Sequence, residues 1–127
     1  LYIMTKEIKL TQGYTTIVDD DLYPILNKFK WQVKKDKNTC YATRWISKFE
    51  QVPFKGRHVT MHKYIFFLKG KWDKLQDKEI DHKDSYGLNN QYNNLRIATK
   101  NQNQHNTRVQ INNQLKISEK QKIILSV

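Results

Sequence analysis

Residues 79–106 constrain the fold more than any other stretch of this chain. Two short apolar pieces, around Ile80 and across Leu95–Ala98, are separated by a long polar loop. From Thr99 a polar stretch compatible with a helix follows, and Thr99 is placed to cap it. The segment therefore predicts strand, loop, strand, helix. The whole chain has 127 residues, which suits one domain or one small domain with an appended module. Hydrophobic residues make up 38% and aromatics 12%, enough for a modest core and too many for a disordered tail. The single cysteine, Cys40, excludes an intrachain disulfide and a zinc site built on several cysteines. No apolar run approaches the ~20 residues that cross a bilayer, and LYIMTKEIKL lacks the apolar core of a secretory signal. A cytoplasmic, reduced protein without membrane contact is the expectation.

The preceding residues read as a β-rich region. IKLTQGYTTIVDD predicts a strand, a turn at Gly13 and a second strand near Tyr14–Val18. In DDDLYPILNKF, Asp19 to Asp21 offer an N-cap, Pro24 fits the first turn, and Leu22, Ile25, Leu26 and Phe29 have helical spacing. KWQVKK and TCYATRWI predict two strands joined by a polar turn. Trp31, Val33, Tyr41 and Trp45 are read as core or sheet-face residues, a reading that outweighs base stacking for any one of them. HVTMHKYIFFLKGKW begins as a strand and becomes a short helix with Met61, Tyr64, Ile65 and Leu68 on its apolar face. Residues 110–127 form a tail with the spacing of a weak amphipathic helix.

Charge narrows the partner. Lysine and arginine number 23 against 12 acidic residues, a formal +11. An excess of that size favours a polyanion, most often nucleic acid. The excess is uneven. Residues 28–48 carry seven bases and one acid, and residues 55–78 seven bases and two acids. Residues 79–99 carry Glu79, Asp81 and Asp84 against Lys83 and Arg96. A weakly acidic island between basic flanks is what a cation site bordered by phosphate-binding surface requires.

Chemistry concentrates in that island. Asp81 can bind a hard divalent cation through oxygen, and the adjacent His82 can take a proton from water. Neighbours on a strand face opposite ways, so a strand end must turn both toward one cavity. Asn94, twelve residues after His82, can bridge loop backbone groups with its donors and acceptor. Asn103, nine residues further, lies on the predicted helix, where its carbonyl oxygen can complete a site with Asp81. Two protein oxygens with waters and a phosphate oxygen match how Mg²⁺ is held. Nine of the eleven asparagines lie in residues 89–113, but compositional bias does not explain the offsets.

D-H-x-D-x-x-x-x-N-N-x-x-x-N-L-R-x-x-T-x-x-x-N, running from Asp81 to Asn103, resembles the HNH nuclease motif in its phage and intron-homing branch, with Asn in the last position. Met61-His62-Lys63-Tyr64-Ile65 resembles the helix that precedes the motif, and IKLTQGYTTIVDDDLYPILNKFKW resembles a β-rich module often fused to these nucleases. The resemblance implies an α+β chain: an N-terminal β-rich DNA-contacting module over residues 1–56, a ββα-metal (His-Me finger) nuclease unit over 57–109, and the tail over 110–127. It implies His82 as general base, Asn94 as the catalytic-loop brace, and Asp81 and Asn103 as ligands of one Mg²⁺ or Mn²⁺ ion. It also implies hydrolysis of double-stranded DNA by a monomer that nicks, or by a dimer assembled on DNA. Lys34, Lys35, Arg44, Lys55, Arg57, His62, Lys63, Arg96, Lys100 and His105 are the expected DNA contacts. The family has Gly where Ser85 stands, and Gly87 is expected to supply the left-handed turn instead. A catalytically inactive DNA-binding module of the same fold, or a basic RNA-binding protein, would share the charge and the aromatics.

Overall fold

The computed structural model describes residues 4–106; the tail expected over 110–127 lies outside them. β1 (Thr5–Lys9) and β2 (Thr15–Asp19) form an antiparallel hairpin in register from Thr5↔Asp19 to Lys9↔Thr15. Its turn is made by Gln12 and Gly13, both left-handed at φ 59° and 77°, so the glycine sits where the backbone needs it. Alternation along β2 buries Thr16 and Val18.

α1 is a single turn, Tyr23–Leu26, shorter than the apolar spacing through Phe29 predicts. Two competing bonds explain this. Asp19, expected near the cap, accepts the Tyr92 N–H instead (3.1 Å). The Leu26 carbonyl is taken by the Trp31 indole N–H at 2.8 Å, which ends the helical ladder. Trp31 then becomes a core residue at 1% exposure.

β3 (Gln32–Lys35), β4 (Cys40–Trp45) and β5 (His58–Thr60) form a three-stranded antiparallel sheet in that order. β5 runs directly into α2 (Met61–Leu68), which buries Met61, His62, Tyr64, Ile65 and Phe66. β6 (Glu79–His82) pairs antiparallel with β7 (Leu95–Ala98), from Glu79↔Ala98 to His82↔Leu95. α3 occupies residues 100–106 of the described chain. Thr99 and Gln102 start it with a reciprocal pair: Thr99 Oγ1 accepts the Gln102 N–H (3.2 Å), and Gln102 Oε1 accepts the Thr99 N–H (2.9 Å). That is a capping box, and it bears out Thr99 as the cap.

One core joins the early and late segments: Ile8, Val18, Leu26 and Trp31 pack in the same cluster as Met61, Ile65, Leu88 and Leu95. The expected division at residue 56 falls within the β4–β5 connection, inside a sheet. β2 also holds the loop after β6. Leu88 accepts the Ile17 N–H, and Ile17 accepts the Asn90 N–H, each at 2.8 Å. The architecture is α+β, with small antiparallel sheets around short helices. Among the described residues no helix is long and apolar enough to cross a membrane.

Arg44, expected to meet DNA, is instead a core residue at 2% exposure. It lies on the inward face of β4 beside buried Ala42. Its guanidinium donates to both carboxylate oxygens of Glu50, at 2.7 and 3.0 Å, and stands 3.7 Å from the Phe29 ring centroid and 4.6 Å from that of Tyr64. It has no surface left for phosphate.

Candidate active site

The loop between β6 and β7 is tied by its own polar side chains. Asn94, buried, donates from Nδ2 to Asp84 Oδ1 and to the Asn89 carbonyl, each at 2.9 Å, and accepts the Asp84 N–H (3.2 Å). Its contacts are those of a brace. Asp84 also accepts from Asn89 Nδ2 (2.8 Å) and the Tyr86 N–H (2.9 Å). Burial pushes the Asp84 carboxyl up, but bonds from Asn89, Asn94 and Tyr86 outweigh it and leave the pKa below the usual value.

The left-handed position is Ser85 itself, at φ 60°, not Gly87. Gly87 is required for a different reason. A Cβ there would lie 2.1 Å from the Cys40 carbonyl oxygen and 2.7 Å from Tyr41 Cδ1. The loop lies flat on β4, and Gly87 N–H donates to Thr39 Oγ1 at 3.0 Å. Chain spacing carries no sign of that contact.

Asp81 and His82 occupy different surroundings. Asp81, 2% exposed, accepts from its cross-strand partner Arg96 (Nε to Oδ2, 2.9 Å) and from Asn106 Nδ2 on α3 (3.1 and 3.3 Å). His82, 5% exposed, packs its ring 5.9 Å from Tyr41 and 4.9 Å from His62, centroid to centroid. Its Nε2 is 2.9 Å from Asn90 Oδ1. Burial pulls the His82 pKa below the ordinary histidine value, although the bond to Asn90 and the charges of Asp84 and Asp81 act the other way. Burial thus disfavours the charged form of the ring. His62, expected at the DNA, is buried, with Nε2 3.3 Å from Thr60 Oγ1 and, among the described residues, no hydrogen-bond partner for Nδ1. Its pKa is well below the usual value, first from burial and then from His82 and Lys63.

Asp81, His82 and Asn103 line one small cavity of about 80 Å³, with Tyr41 and Thr39 opposite. Asn103 donates from Nδ2 to Glu79 Oε2 (2.9 Å), which fixes it above β6. A larger cavity of about 580 Å³ shares Asp36, Tyr41, Ile80 and Asn103 with the small one and is lined by Lys34, Lys63, Lys78 and Trp72. A third, of about 500 Å³, shares Lys34, Lys63 and Trp72 and extends to Lys55 and His58. Lys34, Lys55 and Lys63 thus lie along one groove that ends at the small cavity. Lys35, Arg57, Lys100 and His105 are exposed but do not line it. Arg96 is exposed yet ion-paired to Asp81.

Sequence reasoning gave no role at the site to Asn90, Asn106 or Thr16, named Glu79 only for its charge, and read Tyr41 only as a core or sheet-face residue. Asn90 stands inside the N-N step of the motif, so its type was visible and its role was not. Among the described residues no group of three or more His, Cys, Asp or Glu side chains is placed to hold a metal. Asp81 and Asn103 can each offer a side-chain oxygen, though the Asp81 carboxylate already accepts from Arg96 and Asn106. Oxygen donors suit Mg²⁺ or Mn²⁺ and not a thiolate-preferring metal. Comparison with family models, curated proteins and solved structures returned no match.

Proposed function

We propose that this chain is a metal-dependent DNA endonuclease of the HNH type, with a ββα-metal unit formed by β6, β7 and α3. One observation carries the reading: the adjacent Asp81 and His82 line one cavity with Asn103, 21 positions after His82, and that cavity adjoins a groove lined by Lys34, Lys63 and Lys78 together with Asp36, Asp73 and Glu79. In this reading His82 accepts a proton from the water that attacks phosphorus. Lys34, Lys55 and Lys63 hold the backbone of double-stranded DNA, and Asn94 keeps the loop shaped. Asp81 and Asn103 would hold one Mg²⁺ or Mn²⁺ ion, which supplies charge neutralisation at the phosphate.

A second reading has its own support. The Asp81 carboxylate is already bonded by Arg96 and Asn106, an arrangement suited to a basic DNA-binding module without catalysis. Plasmid nicking with Mg²⁺, with and without chelator, separates the two. The nuclease cleaves only without chelator, and His82→Ala lowers the rate ~10²–10⁴-fold, the usual worth of a general base. Wild-type protein that binds plasmid and never nicks it refutes the nuclease. A His82→Ala variant that nicks at the wild-type rate removes the base.

A further inference from the structure

A buried chain of hydrogen bonds runs from His82 to the N-terminal hairpin. His82 Nε2 lies 2.9 Å from Asn90 Oδ1, Asn90 Nδ2 lies 2.9 Å from Thr16 Oγ1, and Thr16 Oγ1 lies 2.8 Å from the Leu88 carbonyl oxygen. Asn90 and Thr16 are both 0% exposed, so water does not compete for these groups.

The far end of the chain sets its direction. A backbone carbonyl only accepts, so the Thr16 hydroxyl must spend its single proton on Leu88. The other neighbour able to accept that proton, the Met61 sulfur at 4.0 Å, is a weak and distant acceptor. The Thr16 oxygen therefore accepts, and the Asn90 group facing it must be the NH₂. The Asn90 carbonyl then faces His82 and needs a donor, so Nε2 carries the hydrogen. The opposite orientation of the Asn90 amide would leave the oxygens of Thr16 and Leu88 2.8 Å apart with no proton between them.

We propose that Thr16 and Asn90 are positioning residues that lock neutral His82 in its Nε2–H tautomer, leaving the Nδ1 lone pair as the proton acceptor. Nucleophile activation thus depends on a hydroxyl of the N-terminal hairpin, 66 positions away in sequence. The assignment of Nδ1 as the catalytic atom rests on the nuclease reading, while the tautomer itself does not.

The test uses the full chain, with neither DNA nor metal, at a pH well above the ordinary histidine pKa of ~6.5. Long-range ¹H–¹⁵N correlation spectra report which ring nitrogen of His82 is protonated. Wild type is expected to show Nε2–H alone. Thr16→Val keeps the shape and removes the hydroxyl, so the amide loses its direction and His82 becomes a mixture of tautomers. Thr16→Ser restores the hydroxyl and the single tautomer. In plasmid cleavage, Thr16→Val is expected to lose roughly tenfold in kcat with KM unchanged, the lower range for outer partners of functional histidines, and Thr16→Ser to recover it. A wild-type spectrum showing Nδ1–H overturns the proposal whether or not any variant folds. So does a folded Thr16→Val protein with an unchanged tautomer. Wild-type protein with the Nε2–H tautomer and no cleavage refutes the nuclease reading and leaves the tautomer lock in place.

Discussion

Removing Glu50 should destabilise the fold by more than a surface ion pair allows. Arg44 has 2% of its side chain exposed, while Glu50 keeps 24%. In the variant Glu50→Ala, the guanidinium keeps the Trp45 carbonyl at 3.1 Å and its aromatic neighbours, but loses the carboxylate that pairs it. Stranding a buried charge costs about 3–5 kcal/mol. Solvent at the Glu50 end screens part of that, and each ring face returns roughly 0.5–1 kcal/mol. The expected loss is about 2–3 kcal/mol, a large share of the ~5–15 kcal/mol typical of a folded domain. Urea unfolding measures it as a lowered midpoint at constant slope. Arg44→Met removes the charge and keeps much of the volume, so Glu50→Ala added to it should cost little more. The Glu50 pKa is below the usual carboxylate value, first because Arg44 bonds it. The pair's contribution is thus present above about pH 4.3 and lost as pH falls through the lower folded value. A Glu50→Ala loss under about 0.5 kcal/mol, as for an exposed pair, would refute the burial argument. A fall in the salt slope of DNA binding in Arg44→Met would restore Arg44 as a phosphate contact.

Three further outcomes are expected. The folded-state pKa values of His62 and His82 are both lowered, first by burial, so the unfolded chain takes up protons below about pH 6.5 while the fold does not. Stability should be full above that pH and fall below it by up to about 1.4 kcal/mol per pH unit for each histidine; urea midpoints that stay flat from roughly pH 7 to 5 would contradict this. Ser85 is left-handed at φ 60°, and its buried hydroxyl has no hydrogen-bond partner among the described residues, so Ser85→Gly should stabilise by roughly 1 kcal/mol, whereas Gly87→Ala should destabilise by about 1–3 kcal/mol because Cβ meets backbone. Arg96 is 46% exposed, and freeing Asp81 from it in Arg96→Ala should tighten Mn²⁺ binding by up to about fivefold in calorimetry, given ~0.2–1 kcal/mol for such a pair; unchanged or weaker binding would count against Asp81 as a ligand.

Local signals in the sequence read well, and contacts between distant segments did not. The hairpins and Thr99 were legible because strand alternation, turn residues and capping act within a few positions. The single turn at Tyr23–Leu26 was misread because Trp31 and Tyr92, from outside that spacing, take the groups a longer helix would use. Arg44 read as surface because arginine is seldom buried unpaired, and its partner Glu50 arrives only when the β4–β5 connection folds back. Gly87 read as a turn glycine because crowding by Cys40 and Tyr41 leaves no mark in its own segment.

The pleat of β6 accounts for how adjacent residues can meet opposite requirements. A cation ligand works as a charged carboxylate among polar groups, while a general base works as a neutral ring out of bulk water. Alternation sends Asp81 toward Arg96 and α3, where donors satisfy its charge. It sends His82 toward Tyr41, His62 and Asn90, where burial disfavours the imidazolium. Because the strand ends at His82, both residues still border the same cavity. One strand end thus gives two adjacent residues different media, which is what the proposed roles of Asp81 and His82 call for.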